Sequence, residues 1–169
     1  VTHSPDEVAR LAHHLVVLER GRVVASGSLA DTLSRVDLPL RLGEDTGVVI
    51  EATVGSIDQP WQLARLDFDG GALWTRDHGL PEGTPARVRI LARDVSLARE
   101  QPGRSSIQNL LQGRIEQIAD DESPGLALVR VRVGACALLA RVTHRALADL
   151  ALRDGDYAWV QVKSVALAR

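Results

Sequence analysis

The sequence is poor in sulfur and in aromatic side chains, and it has no excess of positive charge. Its 169 residues include no methionine, one cysteine, three tryptophans, one tyrosine and one phenylalanine. The single cysteine, Cys136, excludes an intrachain disulfide, and its apolar neighbours predict a small packed residue in a reducing compartment rather than a nucleophile. Because the chain starts without methionine, in what resembles the end of a strand, we expect it to be part of a longer protein.

The charge balance argues against a polyanionic partner. Twenty basic and 22 acidic residues give a formal net charge of −2 and a pI near 6.2, so the chain lacks the basic field that nucleic-acid binding needs. Trp61, Trp74 and Trp159 are too widely spaced for a base-stacking platform. We therefore expect no nucleic acid among the partners. No apolar run approaches the roughly 18 residues that cross a bilayer, so membrane association would require a protein partner.

The first 35 residues alternate between helix and strand signals. Ser4 is a candidate N-cap with Pro5 at the first helical position, and a helix of about ten residues follows. Two short apolar strands, 15–18 and 23–27, then form a hairpin, and Ser28 caps a last helix that runs through about Val36. This segment has too little apolar surface to fold alone.

After residue 35 the pattern changes to linker and then to strands. Residues 36–46 carry proline and glycine without periodicity, which predicts a linker. Short strand candidates separated by turn residues then occur twice, in 47–100 and again in 104–169. One helical stretch, 144–150, interrupts the second series.

The two series are copies of one another. Residues 83–90 align with 155–162 at a shift of 72, and residues 94–99 align with 164–169 at a shift of 70. The first copy thus carries two extra residues at this bend. A duplicated β-unit of this size predicts a mainly β fold of two OB-fold-like barrels, preceded by a small α/β segment.

The N-terminal segment resembles the end of the ATPase domain of ABC importers. The match rests on V-T-H-S-P-D-E at 1–7, V-V-L-E-R-G-R-V at 16–23 and Gly27. The resemblance implies that His3 is the switch histidine, which helps to position the γ-phosphate and attacking water of ATP in the full-length protein. A histidine at a strand-to-helix junction that only satisfies local hydrogen bonds is the alternative.

The chain lacks the phosphate loop of that ATPase family. No G-x-x-x-x-G-K-[ST] run occurs in the sequence, although such a loop supplies the amides and lysine that hold ATP. We therefore expect this fragment not to be an enzyme. ATP and Mg²⁺ would bind only in a full-length parent.

The second copy resembles the molybdate-binding Mop family. The resemblance rests on S-S-I-Q-N-L-L-Q-G-R-I at 105–115, L-A-R-V-T at 139–143 and V-Q-V-K-S-V at 160–165. Together with the N-terminal segment, it makes the chain similar to the ATP-binding subunits of molybdate ABC importers. The implied domains are an ATPase end (1–35), a linker (36–46), a TOBE-like unit (47–100) and a Mop unit (104–169).

The Mop resemblance implies an oxyanion site for molybdate or tungstate. Hydroxyls, amides and a cation suit a tetrahedral dianion, and the candidates are Ser106, Gln108, Asn109, Thr143, Lys163 and Ser164. In the family two neighbouring units share the contacts, which implies a homodimer. Gln108 stands where the family has arginine and adds no charge. Leu91 stands where Lys163 stands, so only the second copy should bind.

Each donor also has an ordinary structural explanation. Serine and threonine at strand ends commonly form turns, and Lys163 could be a solvated edge residue. Two functions therefore stay open: an oxyanion sensor that regulates uptake, or a ligand-free structural dimerisation module of an importer for another substrate. In the first, the resemblance implies membrane-spanning permease subunits as partners and a cytoplasmic, peripheral place on the inner face of the membrane.

Overall fold

The computed structural model describes residues 1–38 and 43–168. Within them, strands dominate and helices are short, which confirms the mainly β fold with duplicated OB-like units. Part of the predicted linker, residues 39–42, lies outside the described residues. Directly after it, Gly43–Asp45 forms a single 3₁₀ turn. No helix of the described ranges is both long and apolar enough to cross a membrane.

The N-terminal segment forms helix α1 (Pro5–Leu11), strands β1 (His14–Glu19) and β2 (Arg22–Ser28), and helix α2 (Leu29–Leu33). The Ser4 hydroxyl accepts a hydrogen bond from the Glu7 N–H at 3.3 Å, as the N-cap prediction requires. Both helices are shorter than predicted: Ala12 caps α1 in extended geometry, and α2 ends at Leu33 rather than near Val36.

A small apolar cluster attaches this segment to the rest of the molecule. Ala9, Leu29 and Val49 form its buried centre. Val49 belongs to the first strand of the following β-unit, so the segment packs on that unit. Partly buried side chains complete the cluster: Val8, Ala12, Leu15, Leu33 and Ala168.

Ten strands make up the duplicated part. The first unit contains β3 (Gly47–Asp58), β4 (Leu63–Phe68), β5 (Gly71–Arg76), β6 (Pro85–Leu91) and β7 (Val95–Ala98). The second unit contains β8 (Asn109–Asp120), β9 (Leu126–Val133), β10 (Cys136–Thr143), helix α3 (His144–Leu150), β11 (Tyr157–Val162) and β12 (Ala166–Leu167).

The two units exchange their last strands. The sheet orders are β12-β6-β3-β4-β5 and β10-β9-β8-β11-β7, so β12 completes the first sheet and β7 completes the second. These exchanged strands are the segments that the sequence overlay aligns at a shift of 70. Each sheet therefore contains a strand from the other unit, and the units cannot separate without breaking both sheets.

The exchange follows an internal symmetry that recurs in the details. The β3–β4 ladder shifts register between Val54 and Ser56, and the β8–β9 ladder does so between Ile115 and Gln117, 61 residues later. The β4–β5 and β9–β10 hairpin turns pack against each other at two glycines. A Cβ at Gly134 would overlap the Cα of Gly70, so this close approach requires glycine. The inner faces of both sheets form one shared core, in which Val129 and Leu73 have no exposed surface.

Candidate functional site

A groove lies where the end of β5 faces two loops of the second unit. Its cavity volume is about 590 Å³. The lining residues of the first unit are Leu63, Trp74, Thr75, Arg76 and His78, and those of the second are Ser106, Gln108, Asn109 and residues 163–167. Both units of the same chain thus form the groove walls.

Hydrogen bonds fix β5 to the second unit at this groove. β5 is an edge strand, and Asn109 acts on it as a substitute strand partner. The Asn109 Oδ1 accepts a hydrogen bond from the Trp74 N–H at 2.6 Å, and its Nδ2 donates one to the Trp74 carbonyl at 3.0 Å. The Thr75 hydroxyl donates to the Val165 carbonyl at 3.3 Å. The two walls are therefore joined on both sides of the bend at Lys163 and Ser164.

Several polar side chains at the groove have no partner within the described part of the chain. Four of them are sequence candidates, Ser106, Gln108, Lys163 and Ser164, and all four are exposed. Asn109 lines the same groove but is buried at 7% exposure, and both ends of its amide are bonded to Trp74. Its amide therefore has a structural function in the wall.

Thr143 and His3 lie elsewhere. The Thr143 hydroxyl accepts a hydrogen bond from the Ala146 N–H at 3.0 Å and caps α3, and Thr143 is not among the residues that line the groove. His3 is exposed in the extended segment before α1. The structure therefore brings together five of the six predicted oxyanion residues. Thr143 caps a helix instead, in line with the alternative interpretation that such hydroxyls form turns.

Arg76 is a groove residue that the sequence reasoning missed. It is exposed at the end of β5 and has no ion-pair partner in the described ranges. A signal for it exists in the repeat: Arg76 pairs with Leu63 across β4–β5, and Arg141 pairs with Leu128 across β9–β10. Each residue of the first pair lies 65 positions before its counterpart in the second pair. Extending the overlay to these hairpins would therefore have aligned the two arginines.

The groove carries an excess of positive charge. Arg76 and Lys163 line it, and no carboxylate is among the lining residues that the structure describes. In a partly enclosed polar groove, two unpaired cations attract an anion more strongly than they would in open water. The arrangement can therefore hold a small anion by charge and by hydroxyl and amide donors.

Other reactive groups do not join this site. Burial raises the pKa of the Cys136 thiol, which keeps it protonated and poorly nucleophilic at neutral pH. Within residues 1–38 and 43–168, no three His, Cys, Asp or Glu side chains are grouped to hold a metal ion.

Comparison with known proteins gives one matching domain model and several relatives. The TOBE domain model matches residues 105–168. The molybdenum import ATP-binding protein ModC of Methylococcus capsulatus is 62% identical over 99% of this chain, and ModC of Thiobacillus denitrificans is 53% identical over 99%. These alignments cover 47% and 46% of the two relatives.

A solved structure shows the same fold. The cytoplasmic molybdate-binding protein ModG, crystallised with molybdate bound, superimposes with a TM-score of 0.58 and 24% identity, covering 70% of this chain and 93% of ModG. At this identity the likeness establishes the fold alone.

The fold and the matched domain model define the C-terminal unit as a TOBE domain. Over 99% of its length the chain is similar to molybdenum import ATP-binding proteins. It spans about half the length of the curated relatives it matches.

Proposed function

We propose that this chain is the regulatory part of the ATP-binding subunit of a molybdate or tungstate importer. In this proposal, the groove binds the oxyanion at a homodimer interface, and binding regulates ATP-driven uptake. The observation that carries it is the set of unpartnered donors, Ser106, Gln108, Lys163 and Ser164, that faces one groove without a carboxylate.

The donor set suits a tetrahedral dianion that carries no proton. Molybdate, tungstate and sulfate present only acceptor oxygens at neutral pH, which match hydroxyl, amide and ammonium donors. Phosphate retains a proton that is best accepted by a carboxylate, and the described lining offers only the weaker acceptors of hydroxyl and amide oxygens. We therefore expect selection against phosphate by hydrogen-bond chemistry, and selection between molybdate and sulfate by size.

The open side of the groove supports the proposed dimer. Both units that line it belong to one chain, and its outer side faces solvent. We propose that a second copy covers this side and completes the shell around the anion. Oxyanion binding would then stabilise the dimer by mass action, because the ligand binds only the closed arrangement.

A continuous set of contacts leads from the groove to the N-terminal segment. After Ser164 the chain enters β12, where Ala166 pairs with Arg89 of β6 and the Ala168 N–H donates to the Arg87 carbonyl at 2.9 Å. The guanidinium of Arg87 donates to the carbonyls of Arg10 and Ala12 at 3.1 and 2.8 Å.

Arg89 adds a second link along the same strand, because it forms an ion pair with Asp6 of α1. A change at the bend would therefore reach the helix that follows His3. Binding shifts an ATPase equilibrium only by the difference in affinity for its two states. In the proposal, abundant cytoplasmic oxyanion favours the state that slows uptake.

The remaining partners belong to the full-length protein. Val16, Leu18 and Val23 of the β1–β2 hairpin are 55%, 59% and 61% exposed, and we propose that they pack on the rest of the ATPase domain. That domain would bind ATP and Mg²⁺, use His3 at the γ-phosphate and join the permease subunits at the cytoplasmic face of the membrane. This chain by itself would not hydrolyse ATP.

A ligand-free dimerisation module is the second candidate function. Its support is Gln108, which is exposed at the groove and contributes no charge. In that case the exchanged strands and the groove would serve assembly alone.

Isothermal titration of the chain with molybdate, tungstate, sulfate and phosphate, together with light scattering, tests the proposal. We expect molybdate to bind a dimer, phosphate to give no heat, and Lys163→Ala to lose affinity. Arg145→Ala is the matched control for the same charge change, since the Arg145 side chain is 91% exposed on α3, away from the groove. A dimer that ignores all four anions would instead establish the dimerisation module.

A further inference from the structure

We infer that Arg76 is a further anion-binding residue of the groove, supplying the second positive charge that a bound dianion needs. This inference rests on the proposed oxyanion function. A dianion held by Lys163 alone would keep one uncompensated negative charge in a partly enclosed site, which is costly. Arg76 is the other cation that lines the groove among the described residues, and it comes from the opposite wall.

The position of Arg76 is fixed by its neighbours. Asn109 holds the backbone of Trp74 through two hydrogen bonds, and Thr75 is bonded to the Val165 carbonyl. Arg76 follows directly, so its Cα is tied to both loops that carry the oxyanion donors. Side chains alternate along a strand, so Arg76 shares a face with Trp74, which also lines the groove.

The guanidinium of Arg76 has no structural task that competes with ligand binding. Its repeat counterpart, Arg141, forms a buried ion pair: its side chain is 7% exposed and bonded to Asp121. Arg76 is exposed and has no acidic partner within the described chain. An arginine that is held at a groove but unpaired there is available for an anion, and its fork of N–H donors matches two oxygens of a tetrahedral oxyanion.

This assignment changes what one chain contributes to the site. Lys163 belongs to the second unit and Arg76 to the first, so a bound dianion would be neutralised by both units of a single chain. The bound anion would therefore link the two walls by charge, in addition to the hydrogen bonds of Asn109 and Thr75. A second copy of the chain would shield the bound anion from solvent but would add no further positive charge.

The test is titration of molybdate into the chain and its variants at one fixed salt concentration. We expect Arg76→Ala to weaken binding by about 10- to 100-fold, the range of one charge-assisted hydrogen bond. Arg76→Lys should retain part of the affinity, since it keeps the charge and loses the fork. Arg145→Ala should bind as the wild type does. Circular dichroism should show Arg76→Ala folded, because this exposed side chain has no partner to lose.

A compensating variant separates the charge from the particular side chain. Gln108 lines the same groove and is neutral, so adding Gln108→Arg to Arg76→Ala should restore most of the lost affinity. If Arg76→Ala binds molybdate like the wild type while Lys163→Ala does not, the groove is the site and the assignment of Arg76 is wrong. If the wild type binds no molybdate, the proposed function fails, and the assignment fails with it.

Discussion

The two ends of the duplicated barrel are built from equivalent elements, but one end is an open groove and the other is closed by a buried ion pair. At one end, Arg76 of β5 is exposed beside the bend after β11, and the groove is open. At the other, Arg141 of β10 is 7% exposed, bonded to Asp121, and donates to the Gly43 carbonyl at 2.8 Å. Equivalent arginines of the two units thus have different surroundings: Arg76 lines an open polar groove, and Arg141 forms a buried ion pair.

The bends that follow β6 and β11 explain part of the difference. The two extra residues of the first unit, Ala92 and Arg93, form a 3₁₀ turn together with Asp94. Ala92 is fully buried in the shared core, and Arg93 donates to the Glu44 carbonyl at 2.9 Å. In the second unit no such turn separates Val162 from Val165, and Lys163 and Ser164 are left exposed at the groove. A two-residue difference therefore separates a filled end from an open one.

The largest effect is expected from breaking the closed end. Arg141→Met would leave the Asp121 carboxylate, whose side chain is 2% exposed, without its cation. Removing one partner of a buried ion pair costs about 3–5 kcal/mol, measurable by urea denaturation. Arg76→Met, the same change at the open end, should shift the free energy of unfolding by less than about 0.5 kcal/mol. Equal losses at both ends would contradict the comparison.

Transplanting the extra residues should convert the open end toward the closed one. Inserting Ala-Arg between Lys163 and Ser164 should fill the groove and weaken molybdate binding by at least about 100-fold, or about 2.7 kcal/mol. The same dipeptide inserted at the exposed turn between Asp154 and Gly155 is the control. If the variant with the first insertion is folded by circular dichroism and still binds molybdate with wild-type affinity, the length of the bend does not determine whether the groove is open.

Removing the Asn109 amide should loosen the open end. Asn109→Ala breaks two hydrogen bonds to Trp74 and leaves the N–H and carbonyl of an edge strand unpaired. We expect a loss of about 1–3 kcal/mol in the free energy of unfolding, together with weaker molybdate binding because the wall is less ordered. Gln108→Ala, one residue earlier and exposed, should leave stability unchanged. An unaffected Asn109→Ala protein would show that the wall does not depend on this amide.

The smallest effect concerns pH and the exchanged strand β7. A hydrogen bond from Arg99, 3.0 Å long, holds the pKa of Asp156 below its ordinary value of 3.8. A lowered folded-state pKa gives stability that is present above pH 3.8 and is lost as pH falls through the folded value. Melting temperatures between pH 7 and pH 2 should therefore fall slightly less in Asp156→Asn than in the wild type. A steeper fall in the variant would reverse the sign and contradict the argument.

Much of the fold could be predicted from local sequence. Alternating apolar residues between turn signals placed four strands of each unit, β3–β6 and β8–β11, but not β7 or β12, and the helix over 144–150 was predicted at its observed bounds. The strand exchange could not be predicted, because β7 and β12 are equally suited to either sheet and only the assembled core selects their partners. The length of α1 was overestimated because Leu15 continues the helical spacing although it lies in β1.

The site was predictable where the residues occur in short motifs. Ser106, Gln108 and Asn109 lie in one run, Lys163 and Ser164 in another, and the strand exchange brings both runs to one groove. Thr143 fitted the same chemistry but caps α3 instead. Arg76 was missed because it comes from the other unit, 30 or more residues from either motif, and no local pattern marks it. The domain boundaries at 35, 46 and 100 and the homodimer remain predictions.

Anomalous scattering from crystals grown with molybdate tests the central claim most directly. The account predicts one molybdenum peak per chain in the open groove, within hydrogen-bond distance of Lys163, Ser164 and Ser106, and none at the Arg141 end. A peak at the closed end, or a groove without molybdenum in crystals of protein that binds molybdate in solution, would contradict it.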